Sequence, residues 1–230
     1  RNASPQKLAR DGLDSQAINI PFQKISRVVM ESPAAEANWV VKKIFSHLGT
    51  TDLGYSGFFE ADRESSGDLS LADIAVIFRL RQAGLEVAHA LERAGLPYQM
   101  AGEEEETAAD GLDFKADKIS LLTMHASKGL EFKLVFVVGL EEGLCPYEPE
   151  GRCDAQEEMR LFYVAMTRAK DTLYLTRATS RFLFGRSLPG NPSSFWALLP
   201  LSLCYDHKIF PPGARNIQRQ DKAGPVRRLF

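Results

Sequence analysis

Two short segments carry residue types that could act on a phosphorylated ligand. The first, residues 123–132, holds a hydroxyl at Thr123, an imidazole at His125, a glycine at Gly129 and a carboxylate at Glu131. These groups can contact a phosphate, a ribose hydroxyl or a base, and a glycine lets the backbone approach a ligand closely. A solvated turn has a similar composition. The residues of this segment therefore leave a ligand site and a plain turn both open.

The second segment, residues 154–170, has the apolar period of a helix, and we expect it to be helical throughout. Its expected buried stripe consists of Leu161, Val164, Ala165 and Ala169. Three polar residues lie off that stripe: Arg160, Thr167 and Arg168. A guanidinium is always charged and presents a planar fork of donors, so an arginine at a domain edge could stabilise a transferring γ-phosphoryl group. The alternative is a solvated helix face, where charged residues are the rule.

Alternating strands and helices must position these segments. Apolar runs predict strands over residues 23–30, 73–78, 98–100, 118–124, 134–138 and 172–176. Helices are expected after the N-cap Ser32 and over 82–94, the latter with Leu85, Ala88 and Leu91 facing inward. Apolar strands that alternate with amphipathic helices indicate an α/β domain of three layers around a mostly parallel sheet. Ligands bind beyond the carboxyl ends of such strands, where the first segment would begin.

The predicted organisation has one main domain, residues 23–200, between an irregular lead-in, 1–22, and a basic irregular tail, 201–230. Within the main domain, residues 102–117 hold seven acidic residues against one lysine and are predicted to be a solvated loop. A last short helix is expected over 191–196.

Composition excludes several classes of protein. The 230 residues include no apolar run near the roughly 20 that a membrane span needs, so we expect a cytoplasmic protein without a membrane partner. The three cysteines form no CxxC pair, and no HExxH sequence occurs, so no metal site is expected. No GxxxxGK[ST] phosphate loop is present either. The net charge of −2 neither favours nor excludes nucleic-acid binding.

Taken together, the two segments resemble motifs V and VI of superfamily 1 DNA helicases of the UvrD/Rep/PcrA type. Residues 123–132 read Thr-Met-His-Ala-Ser-Lys-Gly-Leu-Glu-Phe and resemble the family's T-h-H-x-x-K-G-L-E-F, where h is hydrophobic. Residues 158–169, which end in Thr-Arg-Ala, resemble its motif VI, and residues 138–146 resemble its V-G-L-E-E-G-h-h-P. The resemblance extends from about Lys24 to about Leu199.

This resemblance implies that the chain is the C-terminal one of two RecA-like motor domains. ATP and Mg²⁺ would bind between the two, held mainly by the N-terminal domain, which carries the phosphate loop. It implies that Arg168 is an arginine finger, that Gly129 and Glu131 lie at the ATP, and that Thr123 and His125 face single-stranded DNA. The implied activity is ATP-dependent 3′–5′ translocation on DNA, as in DNA repair helicases, and the chain alone is expected to be inactive.

The sequence also departs from the family pattern. The phosphate-loop domain is missing, and the chain is expected to begin just after motif IV. The acidic stretch 102–117 stands where family members have a helical insertion, and Met159-Arg160 replaces an arginine pair. Two alternatives stay open: the helicase part of an AddA/RecB-type helicase-nuclease, and a platform that binds DNA or protein without motor function. The Gly-Leu-Glu-Glu-Gly stretch at 139–143 favours the UvrD type, and retention of Glu131 and Arg168 weighs against the platform.

Overall fold

The computed structural model describes residues 25–49, 69–101, 112–113, 115–148, 154–183 and 185–209. The predicted lead-in, most of the acidic loop and the residues after 209 lie outside the described part of the chain.

Seven strands form one sheet, and each neighbouring pair is parallel. In chain order these strands are β1 (Ile25–Met30), β2 (Ile74–Phe78), β3 (Tyr98–Met100), β4 (Ile119–Thr123), β5 (Phe132–Val138), β6 (Ala169–Ala178) and β9 (Cys204–Lys208). Their spatial order is β3-β4-β2-β5-β6-β1-β9. A small antiparallel hairpin pairs β7 (Arg181–Leu183) with β8 (Arg186–Leu188). All carboxyl ends of the large sheet therefore lie at one edge, the carboxyl edge, and all amino ends at the opposite amino edge.

Within the described residues, three helices cover the two faces of the sheet: α1 (Pro33–His47), α2 (Arg81–Arg93) and α3 (Ala155–Met166). Alternate residues of β2 enter different cores: Ile74, Val76 and Phe78 pack with α1 and α2, whereas Ala75 and Ile77 pack on the side of α3. Period-two alternation sends neighbouring side chains to opposite faces. The expected α/β fold with three layers, a RecA-like arrangement with a parallel sheet, is confirmed.

Helix α1 begins where the sequence predicts it. The Ser32 hydroxyl accepts a hydrogen bond from the Ala35 amide at 3.2 Å, and Pro33 occupies the first turn. A proline is tolerated there because the first amides of a helix have no partner within the helix. The helix buries Val40 and Ile44, and it also buries Glu36 and Trp39.

Three sequence predictions are wrong. Leu85 is exposed, because the buried face of α2 runs through Gly84, Val87, Ala88 and Leu91 and leaves Leu85 at its flank. Helix α3 ends at Met166, so Thr167 is its C-cap and Ala169 belongs to β6. Residues 204–208 form the strand β9 rather than an irregular tail. They pair with β1, where Arg27 binds Asp206 through two contacts of 2.6 Å.

None of the described helices is long and apolar enough to cross a membrane. Within the same ranges, no three His, Cys, Asp or Glu side chains come together as a metal ion would require. The expected short helix over 191–196 takes the form of a 3₁₀ helix over Ser194–Leu198.

Candidate functional site

Residues 124–131 connect β4 to β5, and this connection crosses the whole domain. Because β4 and β5 both run parallel to β2, the chain leaves β4 at the carboxyl edge and enters β5 at the amino edge. The sequence placed the segment beyond the carboxyl ends of the strands, and this holds only for its beginning. Thr123 and His125 lie near the carboxyl edge, whereas Gly129 and Glu131 lie near the amino edge.

Arg168 lies at the amino edge, between the end of α3 and the start of β6, and not within the helix. Its carbonyl oxygen accepts the Phe132 amide at 2.8 Å, which ties it to the start of β5. Its guanidinium donates from Nε to the Val164 carbonyl, from Nη1 to the Leu130 carbonyl and from Nη2 to the Thr167 hydroxyl, at 2.9, 2.9 and 3.0 Å. The two segments singled out from the sequence are thus in direct contact.

An exposed ion pair lies at the end of the connection. Glu131 and Lys170 approach to 3.2 Å, and their side chains are 60% and 54% exposed. With Arg168 half-buried beside them, this group places two cationic side chains and one carboxylate next to each other at the starts of β5 and β6. Solvent-exposed pairs of this kind contribute little to stability, so these charges remain available to a ligand.

At the other end of the connection, Thr123 is tied into the turn. Its hydroxyl accepts the Ala126 amide at 3.1 Å, and its carbonyl accepts the Ser127 amide at 3.1 Å. His125 is exposed beside it. The structure therefore brings Gly129, Glu131 and Arg168 together, and it separates them from Thr123 and His125 by the length of the sheet.

The bend in this connection depends on two residues. Gly129 has a φ of 83°, a conformation that favours glycine, and a Cβ there would meet no atom within 4 Å. The glycine is thus required by the backbone and not by crowding. Ser127 is fully buried and donates its hydroxyl to the Met124 carbonyl at 2.8 Å. The connection is consequently a defined turn.

Beyond the carboxyl ends of β5 and β6 lies a second group of charges, which is buried. Arg181 binds two carboxylates, those of Glu36 and Glu141, and its Nε lies 2.7 Å from Glu141. The side chains of all three are 0–3% exposed. The Thr176 hydroxyl donates to Glu36 at 2.6 Å, and the Gly139 amide adds a bond of 3.1 Å. This buried triad therefore joins α1, β6, β7 and the loop after β5.

The buried triad has one more carboxylate than guanidinium, and its electrostatics reflect that excess. Burial raises the pKa of Glu141, and the neighbouring Glu36 carboxylate raises it further, while Arg181 and the Ala178 amide oppose the change. Burial lowers the pKa of Arg181, but its two carboxylates outweigh that effect and the pKa is raised. Arg181 therefore keeps its charge at all accessible pH values.

The sequence predictions missed the buried triad and the partner of Glu131. Glu36 is four residues before Val40 on the apolar face of α1, and a carboxylate in that position is a sign that a buried cation must exist elsewhere. Lys170 follows directly after Arg-Ala, but nothing in its spacing points to Glu131. That pairing depends on the register of β5 and β6, where Phe132 lies opposite Ala169.

Comparisons with known proteins agree with this geometry. Residues 104–180 match the model of the UvrD-like helicase C-terminal domain. That stretch contains both candidate segments and the residues between them.

Among characterised relatives, a 93-residue part of the chain is 50% identical to the ATP-dependent DNA helicase PcrA of Staphylococcus aureus strain MRSA252. The PcrA of Staphylococcus epidermidis strain ATCC 12228 is 46% identical over the same length. The match covers 39% of this chain and 13% of each relative, so the chain represents only a small part of those proteins.

The fold is also found in a solved structure, the C-terminal domain of a possible DNA helicase from Lactobacillus plantarum. The two superimpose with a TM-score of 0.50 at 18% identity, over 80% of this chain and 86% of the other. At that identity the likeness concerns the fold alone. The matched sequence and the fold together support a UvrD/PcrA-type helicase C-terminal domain.

Proposed function

We propose that the chain is the C-terminal motor domain of an ATP-dependent DNA helicase that moves 3′ to 5′ along single-stranded DNA. In this proposal a second, N-terminal RecA-like domain of the same protein holds the ATP phosphates and Mg²⁺. The present domain completes the site with Arg168 as the arginine finger. The observation that carries the proposal is the junction at the amino edge, where Arg168 meets the end of the 124–131 connection.

The hydrogen bonding of Arg168 suits this role. A guanidinium has five N–H bonds, and the contacts to Val164, Leu130 and Thr167 use one on each nitrogen. Within the described part of the chain, one N–H bond on each terminal nitrogen is left for a ligand. Two such parallel donors match a pair of phosphate oxygens. The three internal bonds hold the group in place, which limits the entropy lost when it binds the transferring phosphoryl group.

Gly129 and Glu131 flank this guanidinium and are proposed to lie against the nucleotide. The absence of a Cβ at Gly129 lets the backbone approach the ligand closely. The Glu131 carboxylate can accept hydrogen bonds from the ribose hydroxyls, with Lys170 offsetting its charge toward the phosphates. In this arrangement the residues of the chain bind and orient the nucleotide and stabilise charge, while proton transfer from the attacking water belongs to the partner domain.

Single-stranded DNA is proposed to contact the opposite edge, at Thr123 and His125. Both lie at the carboxyl end of β4, where the exposed imidazole can stack on a base or donate to a phosphate. Nucleotide and DNA would then bind at opposite ends of one eight-residue connection. A movement caused by closure of the ATP cleft would then reach the DNA through this connection, without a long chain of intervening elements.

The test compares ATP turnover by the full-length protein with Arg168→Ala, in the presence and absence of single-stranded DNA. The expected loss is about 10³-fold in the DNA-stimulated rate. Arg93→Ala is the matched control, because Arg93 is an exposed arginine in the last turn of α2, and its loss should leave the rate unchanged. DNA binding without any turnover in the unmodified protein would favour a binding platform instead.

A further inference from the structure

A second arginine–carboxylate pair lies outside the proposed nucleotide site. Arg79 directly follows β2, and its guanidinium binds the Glu158 carboxylate through Nε at 2.9 and 3.0 Å and through Nη2 at 2.7 Å. The Tyr147 amide donates to the same carboxylate at 2.9 Å. The guanidinium also lies 5.4 Å from the centre of the Tyr147 ring. The side chains of Arg79 and Glu158 are 17% and 7% exposed.

This pair connects the central strand of the sheet to the N-terminal end of α3. Phe78, the residue before Arg79, lies opposite Thr123 in the sheet, and its carbonyl accepts the Met124 amide at 2.9 Å. Arg79 is thus one residue removed from Phe78, which pairs with the end of β4 that carries the proposed DNA contacts. Any shift of Thr123 must move the backbone that holds Arg79.

Glu158 lies at the start of α3, and the other end of that helix leads to Arg168. The helix has 12 residues and is therefore about 18 Å long. It runs from the carboxyl edge, where Glu158 binds Arg79, to the amino edge, where Arg168 meets Leu130. Because a helix moves as a stiff body, a displacement at Glu158 is carried to the C-terminal turn in which Val164 and Thr167 hold Arg168.

Stability alone is a weak reason for such a pair. A buried ion pair is often no more stabilising than apolar side chains of the same volume, because both charges must be desolvated. Its three contacts do, however, fix the position of α3 relative to β2 in a way that apolar packing does not. The geometry suits positioning better than it suits stabilisation.

We propose that Arg79 and Glu158 are positioning residues that couple the DNA-contacting edge to Arg168. This proposal rests on the proposed function. In it, DNA bound at Thr123 and His125 fixes the position of the end of β2. The Arg79–Glu158 pair then fixes the position of α3 relative to β2, and α3 fixes the position of Arg168. Neither residue touches nucleotide or DNA.

The test measures ATP turnover by the full-length protein at zero and saturating single-stranded DNA, together with the dissociation constant for the DNA. Glu158→Gln keeps the shape of the side chain and removes its charge. We expect the stimulated rate to fall about tenfold, while the unstimulated rate and the DNA affinity change less than about twofold. Thermal unfolding of each variant confirms that it folds.

Asp206→Asn is the control, because Asp206 also binds an arginine, Arg27, through two contacts, each of 2.6 Å, at the far side of the sheet. It should leave the stimulated rate unchanged. The single variant Arg79→Gln and the double variant Arg79→Gln/Glu158→Gln complete the set. The double variant should lose no more of the stimulated rate than the worse of the two single variants, since each single change already breaks the same contact.

Three outcomes overturn the proposal. Glu158→Gln could retain the full stimulated rate, or it could lower the stimulated and unstimulated rates by the same factor, which is the result of a purely structural role. In either case the proposed function stands and only the coupling fails. If the unmodified protein shows no DNA-stimulated turnover at all, the proposed function and the coupling fail together.

Discussion

Two arginine side chains, Arg181 and Arg168, lie at opposite edges of one sheet, and they differ in almost every physical respect. Arg181 is 2% exposed and is enclosed by Glu36 and Glu141, so all of its charge is used within the fold. Arg168 is only half-buried, its hydrogen bonds go to two carbonyls and a hydroxyl, and no carboxylate is recorded on it within the described residues. Charge that is neutralised inside the protein holds segments together. Charge left without a counter-ion at an edge is available for a ligand.

The largest effect on stability is expected from Arg181→Leu. This change leaves two buried carboxylates without their cation, and loss of one partner from a buried pair costs about 3–5 kcal/mol. The free energy of unfolding, measured with urea, should fall by that amount or the domain should fail to fold. A loss below about 1 kcal/mol would mean that the buried triad is not what joins α1 to the hairpin.

A smaller, pH-dependent effect is expected at Glu141. Because its pKa is raised in the folded state, mainly by burial, the carboxyl group favours folding fully below its ordinary value of 4.5 and loses that contribution as the pH rises through the folded pKa. The unfolding free energy of the unmodified domain should therefore fall relative to that of Glu141→Gln as the pH is raised above 4.5. Urea unfolding of both proteins across this range measures the difference. A difference that stays constant with pH contradicts the assignment.

Asp73 should show the opposite pH dependence on a smaller scale. Burial raises its pKa, but hydrogen bonds from the Ser70 amide and from Lys133 outweigh this and lower it. Its contribution to stability is thus present above the ordinary value of 3.8 and is lost as the pH falls through the folded pKa. Lys133→Ala should cost about 0.2–1 kcal/mol at neutral pH, and this cost should disappear in acid. A cost that persists at low pH would point to lost packing instead.

The smallest effect on stability is expected for Lys170→Ala. Its partner Glu131 is 60% exposed, so solvent already screens the pair. The free energy of unfolding should change by less than about 0.5 kcal/mol. A larger loss, measured by urea unfolding beside Arg181→Leu, would remove the distinction between an exposed ligand site and a buried structural one.

Much of the fold could be read from the sequence because the signals were local. The start of α1 follows from Ser32 and Pro33, and the parallel sheet follows from apolar runs such as Ile74–Phe78. The end of α3 could not be read in this way. Arg168 continues the helical period, but the helix ends at Met166, four residues before its predicted end, and the pairing of Ala169 with Phe132 draws the chain into β6. Tertiary pairing outweighs the local preference there.

The candidate site could be predicted from the sequence only in part, because its geometry also depends on tertiary pairing. Motif resemblance selected Arg168, Gly129 and Glu131, and the structure brings these three together. Motif resemblance could not reveal that Thr123 lies at the opposite, carboxyl edge, since that depends on β4 and β5 both being parallel to β2. The three residues of the buried triad are up to 145 positions apart in the chain, and no short pattern connects them.

The most direct test of the central claim is Arg168→Lys in the full-length protein, with ATP turnover on single-stranded DNA and thermal unfolding measured on the same sample. Lysine keeps the charge but lacks the planar fork of donors. The account predicts that the DNA-stimulated rate falls at least about 10²-fold while the unfolding temperature stays within about 2 °C. An unchanged rate, or a loss of rate matched by a loss of folded protein, would contradict the claim that the guanidinium of Arg168 serves a ligand and not the fold.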